Sequence, residues 1–205
     1  MNYRITDDGD ALRGSAGDGA ELARAVRISL CGIDLEHPAS FLPASPATAD
    51  FDWQAWLGDV FKDELGPAFV EVFLAAGQMQ VRELMTVDAW LKGERCREAG
   101  AALLDRLEQA KNCRVIERMR AILADRNVTG PHFTTAFAVE CAEFHLPLRS
   151  ALLSYLYGEW RCGMSALGER GDLDAFSAAG GELVSTLVGE LLSKSASPFD
   201  QAAGL

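Results

Sequence analysis

The chain has little histidine and cysteine, the residue types on which much metal and nucleophile chemistry in proteins depends. Its 205 residues include three histidines and five cysteines. No two of the cysteines form a C-x-x-C pair, and their odd number and wide spacing exclude a disulfide framework or a zinc ribbon. A P-loop and a dinucleotide-binding glycine motif are also missing. The sequence therefore contains no motif that identifies an activity, and we assign no catalytic residue, no metal site and no cofactor.

The chain also lacks an excess of positive charge and a long apolar run. Its 19 basic and 30 acidic side chains give a formal net charge of -11, the opposite of the basic footprint of a nucleic-acid binder. No stretch approaches the ~18 apolar residues of a membrane span. Asp7, Asp8 and Asp10 stand where a secretory signal needs a basic residue and an apolar run. We therefore expect a cytoplasmic protein without nucleic-acid or membrane partners.

Helical patterns dominate what is present. Apolar residues make up 49% of the chain, and from Asp50 onward they recur at intervals of three and four, with no alternation typical of a strand. Glycine precedes proline at 66–67 and 130–131, a pair that ends one helix and starts another. The predicted fold is all-α, a single bundle of about seven or eight helices. The expected division is a flexible segment at 1–17, the helical domain at 18–193 and a flexible tail at 194–205.

The longest helical stripe of the middle region runs over residues 86–110 and includes Trp90. Gly93 and Gly100 fall inside this predicted helix at a cost of roughly 1 kcal/mol each. They indicate either close packing of a neighbour or a local bend.

Three later segments are also predicted as helices. One spans about residues 115–126, and the last runs from 172 to about 193 with an interruption at Gly180-Gly181. The strongest begins at Pro147, and its apolar face is too broad for a surface helix. We therefore expect the helix after Pro147 at the centre of the core.

Charge is unevenly distributed along the chain. Residues 82–126 hold ten basic and eight acidic side chains, whereas the remainder carries a net charge of -13. Arg114, Arg118 and Arg120 lie close together in this stretch and are the candidate ridge for docking an acidic partner. The alternative is a solvated helix surface with ordinary ion pairs between neighbouring turns.

Few residues have the type and spacing that would indicate catalysis or metal binding. Cys141 and His145 are four apart, which would place a thiol and an imidazole on one helical face. We favour a buried Cys141 and a His145 at a helix end. Glu140 and Glu143 are interpreted as an ordinary solvated carboxylate pair. His132 is better explained as ordering the first turn of a helix than as a general base, since no nucleophile is near it in sequence.

The order of the segments resembles the urease accessory protein family UreF over about residues 50–192. The segments that carry the resemblance are FDWQAWL at 51–57, TVDAWLK at 86–92, the glycine and paired leucines at 100–104, GPHF at 130–133 and LPLRSALLSYLY at 146–157. The positions of the last two segments that match the family, expected to be mainly structural, are His132, Leu146, Pro147, Leu148, Leu152, Tyr155, Leu156 and Tyr157.

Two regions depart from the family pattern. Leu42-Pro43 lacks the glycine that follows in the family, and Gly168-Glu169-Arg170-Gly171 lacks its glycine-glutamine pair. In the family these regions help to contact partner proteins. The chain is therefore similar to a divergent member.

The resemblance implies a non-catalytic, all-helical and homodimeric chaperone for nickel insertion. In that system UreF bridges the scaffold UreD, also called UreH, and the GTPase UreG, and the assembly delivers nickel to apo-urease. One alternative is a UreF-like protein redirected to mature or activate a different metalloenzyme. Another is a small helical enzyme or ligand-binding protein with a pocket around Trp53, Trp90, Cys141 and His145.

Overall fold

Every element that the structure describes is a helix, which confirms the predicted all-α class. The structure, a computed structural model, describes residues 52–110, 113–166, 168 and 173–195. In chain order the elements are α1 (Trp53–Trp56), the π-helical segment π1 (Leu57–Leu65), α2 (Gly66–Gly77), α3 (Val81–Asp88), α4 (Glu94–Ala110), α5 (Arg114–Asp125), α6 (Phe133–Glu143), α7 (Leu148–Ala166) and α8 (Leu173–Ser195). The predicted flexible segment 1–17 lies outside the described residues, as does most of 194–205.

The centre of the bundle is built from α6 and α7. All residues of α6 from Thr134 to Ala142 are buried, as are residues 151–157 of α7. α6 packs against α2 and α4, while α7 packs against α6 and α8. The predicted central position of the helix after Pro147 is thus confirmed.

Tyr155 of α7 is the meeting point of an aromatic cluster. Its ring centroid lies 5.3 Å from that of Phe69 and 5.8 Å from that of Phe137. Phe61 and Phe133 are each 6.4 Å away. These distances are typical of favourable aromatic pairs, so the cluster joins π1, α2 and α6 to α7.

The predicted continuous helix over residues 86–110 is wrong. α3 ends at Asp88 and α4 begins at Glu94, so residues 89–93 form a loop. Gly93 has a φ of +123°, which glycine adopts at little cost and other residues rarely adopt. Trp90, expected in the apolar stripe, is instead 78% exposed in this loop.

The two Gly-Pro pairs behave differently. At Gly66-Pro67 one helical element ends and another begins, as predicted, since π1 ends at Leu65 and α2 starts at Gly66 with Pro67 in its first turn, but no loop separates the two. The Gly66 N–H donates to the Phe61 carbonyl five residues earlier, and this wider turn accommodates a proline without an N–H. At Gly130-Pro131 the prediction is confirmed, since α5 ends before the pair and α6 begins after it.

Gly100 and Gly130 allow two backbone segments to approach closely. A Cβ added to Gly100 would collide with the Pro131 carbonyl oxygen, and one added to Gly130 would lie 2.5 Å from the Ala101 Cβ. The close packing predicted for Gly100 is therefore confirmed.

The last helix is kinked where the sequence predicts an interruption. Gly180 has non-helical angles, with φ 164° and ψ 27°, inside α8. A Cβ at Gly180 would lie 3.4 Å from Nε1 of Trp53. The helix ends at Ser195, two residues beyond the predicted boundary at 193.

Candidate functional site

A buried aspartate holds the loop between α3 and α4. The side chain of Asp88, the last residue of α3, is 2% exposed. Its Oδ2 accepts a hydrogen bond from Nη1 of Arg97 at 2.9 Å, and its Oδ1 accepts one from the backbone N–H of His132 at 2.7 Å. Asp88 thereby ties the end of α3 to the first turn of α4 and to the residue that precedes α6.

Arg97 donates hydrogen bonds to backbone carbonyl groups at this loop. Its Nη2 donates to the carbonyls of Asp88 at 3.0 Å and Leu91 at 2.9 Å. Its Nη1 also donates to the carbonyl of Gly130 at 3.1 Å. A guanidinium supplies several donors in one plane, so a single side chain fixes both the 89–93 loop and the 130–132 segment.

His132 caps the first turn of α6. Its Nδ1 accepts a hydrogen bond from the backbone N–H of Thr134 at 3.2 Å. Burial lowers the pKa of His132 to about 4, against the opposing effect of the nearby Asp88 carboxylate. The imidazole is therefore neutral near pH 7 and orders the helix start, the role that its sequence position predicts.

Above this buried network, the indole of Trp90 faces solvent. It is 78% exposed, compared with 45% for Phe144 and 44% for Met79. Its backbone N–H donates to the Val87 carbonyl at 3.0 Å, and the adjacent Leu91 is buried. A large aromatic side chain is thus presented on a well-anchored loop, and such side chains are frequent binding hot spots in protein interfaces.

Two cations belong to or adjoin the loop that carries this tryptophan. Lys92 is exposed in the same loop. Arg126, which follows α5, donates from Nη1 to the Met85 carbonyl at 2.8 Å, and the same carbonyl accepts the N–H of Ala89. A cation is favourable at the C-terminus of a helix such as α3. We call Trp90, Lys92 and Arg126 the α3–α4 loop surface.

The three arginines proposed as a docking ridge do not act as one group. Arg114 and Arg118 are both exposed and one turn apart on α5, so they share a face. Arg120 forms ion pairs with Asp105 and Glu108 of α4. Arg120 therefore links α5 to α4 through these ion pairs. Arg114 and Arg118 remain as the docking candidates on α5.

The structure does not support a catalytic or ligand-binding role for Cys141 and His145. α6 ends at Glu143 and His145 has a φ of +57°, so the two residues do not share a continuous helix. Cys141 is buried, and burial raises the pKa of its thiol well above the ordinary value, which disfavours a reactive thiolate. The residues expected around a pocket lie in different environments, with Trp53 and Cys141 in the core and Trp90 and His145 at the surface.

The side chains of the types that bind metal ions are also dispersed over the described part of the chain. Within residues 52–110, 113–166 and 173–195, no three His, Cys, Asp or Glu side chains are grouped closely enough to hold a metal ion. The same residues contain no helix that combines the length and apolar character needed to cross a membrane.

The helix motif at 146–157 contributes mainly to the core. Its buried members are Leu152, Tyr155, Leu156 and Tyr157, Leu146 and Leu148 are partly buried, and Pro147 is exposed ahead of α7. The Tyr155 hydroxyl lies 2.8 Å from Oγ1 of Thr134 in α6. The motif therefore positions α7 against α6.

Sequence reasoning missed two buried glutamates. Glu140 is 3% exposed and Glu159 is 5% exposed, so the interpretation of Glu140 as part of a solvated pair is wrong. Burial raises the pKa of each to about 8, opposed by Arg106 at Glu140 and by a hydrogen bond from Tyr155 at Glu159. The one sequence signal is their position within otherwise apolar stretches, FAVECA and LYGEW.

We expect the free energy of unfolding to decrease as the pH rises from 6.5 to 8. The folded-state pKa of Glu159, about 8, lies above its ordinary value of 4.5. The native state therefore binds this proton more tightly than the unfolded state does. The resulting stabilisation is present at low pH and is lost as the pH rises towards the folded-state pKa. In Glu159→Gln the free energy of unfolding should decrease by roughly 1 kcal/mol less per pH unit than it does in the wild-type protein. Urea unfolding at several pH values measures the slope, with Glu117→Gln at an exposed position as the control, and an unchanged slope in Glu159→Gln would contradict the expectation.

No protein family profile, no curated protein and no solved structure matches this chain.

Proposed function

We propose that this chain is a non-catalytic accessory protein of the UreF type. It holds a UreG-type GTPase and a UreD-type (UreH-type) scaffold together while nickel is delivered to apo-urease. In this proposal the protein is a cytoplasmic homodimer that donates no catalytic side chain. Nucleotide turnover by the GTPase releases the metal towards the target enzyme.

The observation that carries the proposal is the conformation of residues 86–92, one of the segments on which the resemblance rests. This segment does not continue as a packed helix. It forms a loop anchored by Asp88 and Arg97, from which Trp90 projects into solvent. An exposed tryptophan on an anchored loop favours protein recognition over internal packing.

Three of the described groups with chemical capacity have structural roles. His132 caps α6, Cys141 is enclosed in the core, and Asp88 is paired with Arg97. This arrangement favours a recognition protein over the small ligand-binding protein that the sequence left open.

A redirected client is the second candidate function. The sequence departs from the family at Leu42-Pro43 and at 168–171, regions where the family contacts its partners. These departures favour maturation or activation of a different metalloenzyme by the same helical fold. Leu42-Pro43 and residues 169–171 lie outside the described residues.

Co-purification from the protein's own cells tests the proposed function. We expect the tagged chain to retain a P-loop GTPase and a UreD-like scaffold, and the eluate to contain nickel. The purified assembly should then activate apo-urease in the presence of GTP and nickel. An untagged extract passed over the same resin controls for carry-over. Recovery of another metalloenzyme without the GTPase would support the redirected client, and recovery of neither would contradict both functions.

Charge reversal on α5 tests the remaining part of the arginine ridge. Arg114→Glu combined with Arg118→Glu should weaken partner association about tenfold at low salt, and less at high salt because screening shortens the range of the interaction. Association of the purified proteins is measured by calorimetry at two salt concentrations. Lys62→Glu, at an exposed lysine on π1, is the control. Unchanged affinity in the double variant would remove α5 from the docking surface.

A further inference from the structure

We infer that the α3–α4 loop surface binds an acidic protein surface that presents an apolar pocket for the Trp90 indole. This inference rests on the proposed function, and names the chemistry of the partner and the residues that contact it. Three observations carry it: the exposure of the indole, the anchoring of its loop and the charge around it.

The exposure of Trp90 is unusual for its residue type. Tryptophan is mostly buried in folded proteins, and the other three tryptophans of this chain are at most 8% exposed. The indole at position 90 leaves 78% of its surface in water. A pocket that covers an exposed indole removes a large apolar area from water and gains a strong anchor.

The loop is arranged to keep its shape when the indole is covered. The Asp88 carboxylate and the Arg97 guanidinium bind each other, and Arg97 also binds the Leu91 carbonyl directly after Trp90. The Gly130 carbonyl accepts a further hydrogen bond from the same guanidinium. Because the backbone is ordered before association, binding at Trp90 loses little conformational entropy.

The charge of the loop favours an acidic occupant. Lys92 is the one charged residue of the loop 89–93, and the Arg126 guanidinium lies next to Ala89 through the shared Met85 carbonyl. The exposed residues of the adjoining turns carry charges of both signs, at Arg82, Glu83, Glu94, Arg95, Glu98 and Asp125. The two charged side chains of the α3–α4 loop surface itself are therefore both positive, on a chain with a formal charge of -11. An acidic protein surface is attracted to this patch and repelled by the rest of the chain, which orients its approach.

A second copy of the chain fits the patch less well. A two-fold contact centred on Trp90 places the same surface of both copies face to face. Lys92 and Arg126 of one copy would then oppose Lys92 and Arg126 of the other, and like charges at an interface are unfavourable. The inference therefore commits to a different, acidic protein.

Substitution of Trp90 tests the anchor. With purified UreG-type GTPase and UreD-type scaffold as separate probes, Trp90→Ala should weaken the binding of one of them at least 30-fold. Trp90→Phe should recover part of that loss. Trp90→Ala should leave the melting temperature unchanged, because the indole is exposed in the free protein.

Phe144→Ala is the matched control for loss of an exposed aromatic ring. Phe144 is 45% exposed and directly follows the C-terminus of α6, whereas the α3–α4 loop contacts the N-terminal side of α6 through His132. An eleven-residue helix separates the two places, a length of about 16 Å. Phe144→Ala is expected to bind both probes like the wild-type protein.

Lys92→Glu tests the charge. We expect association with the same probe to slow about tenfold at low salt, with the difference vanishing at high salt. Lys62→Glu, an exposed lysine on π1, should have no such effect. A slower rate that is independent of salt would contradict the acidic chemistry of the partner.

The outcomes separate this inference from the proposed function. If the wild-type chain binds a probe and Trp90→Ala binds it equally well, the inference is overturned and the proposed function stands. If Trp90→Ala alters only self-association in sedimentation, the surface is a contact between copies and the inference is overturned. If the wild-type chain binds neither probe, the proposed function fails and the inference fails with it.

Discussion

Asp88→Ala is expected to lower the free energy of unfolding by about 3–5 kcal/mol, because removing one partner of a buried ion pair leaves the other charge uncompensated. The Arg97 guanidinium would stay largely buried without its carboxylate, and the His132 N–H would lose its acceptor. Urea unfolding followed by circular dichroism measures the loss. We also expect a shifted tryptophan emission, since the loop that carries Trp90 loses its anchor.

An exposed ion pair supplies the control for this prediction. Asp105 pairs with Arg120 across α4 and α5, with its side chain 59% exposed. Surface ion pairs contribute at most about 1 kcal/mol, so Asp105→Ala should change stability far less than Asp88→Ala. Equal effects of the two substitutions would show that burial of Asp88 does not decide its contribution to the stability of the protein.

Gly100→Ala is the second large expected effect, a destabilisation of about 3 kcal/mol or more. The added methyl group would collide with the Pro131 carbonyl oxygen and lie 2.9 Å from the His132 carbonyl carbon. Both are backbone atoms ahead of α6, so no side-chain rotation relieves the contact. The start of α6 must move away from α4, and overpacking of this kind is costly. Thermal and urea unfolding measure the change.

Gly189→Ala is the matched control for the glycine substitution. Gly189 lies in α8 with open space where a Cβ would be added. Alanine at such a helical position is expected to stabilise the protein by roughly 0.5–1 kcal/mol. The two substitutions should thus have opposite signs. A mild or stabilising effect of Gly100→Ala would contradict the close approach of α4 to the Pro131 segment.

The stability variants and the docking variants report on different properties of the same region. Asp88 anchors the loop through Arg97 and Gly100 packs against the Pro131 segment, whereas the side chain of Trp90 extends into solvent. Loss of partner binding in Asp88→Ala would follow from a disordered loop. Loss in Trp90→Ala, with unchanged melting temperature, would follow from the contact itself.

Only part of the candidate site was predictable from the sequence. His132 was identified as a residue of the helix start, because a Gly-Pro pair directly before it is a local signal. Trp90 was assigned to a helical stripe, because Val87 and Leu91 continue the helical spacing into the loop. Arg97 was not singled out, since its acceptors at Asp88, Leu91 and Gly130 come from separate parts of the chain.

The sequence by itself determined the all-α class, the helix over 115–126, the boundary at Gly130-Pro131 and the central helix after Pro147. Each of these rests on periodicity and turn residues within a few positions of one another. The tertiary structure alone decided the break after Asp88, the burial of Glu140 and the exposure of Trp90. The reason is physical: whether a polar group is buried, or an apolar one exposed, depends on distant segments that supply or withhold its neighbours.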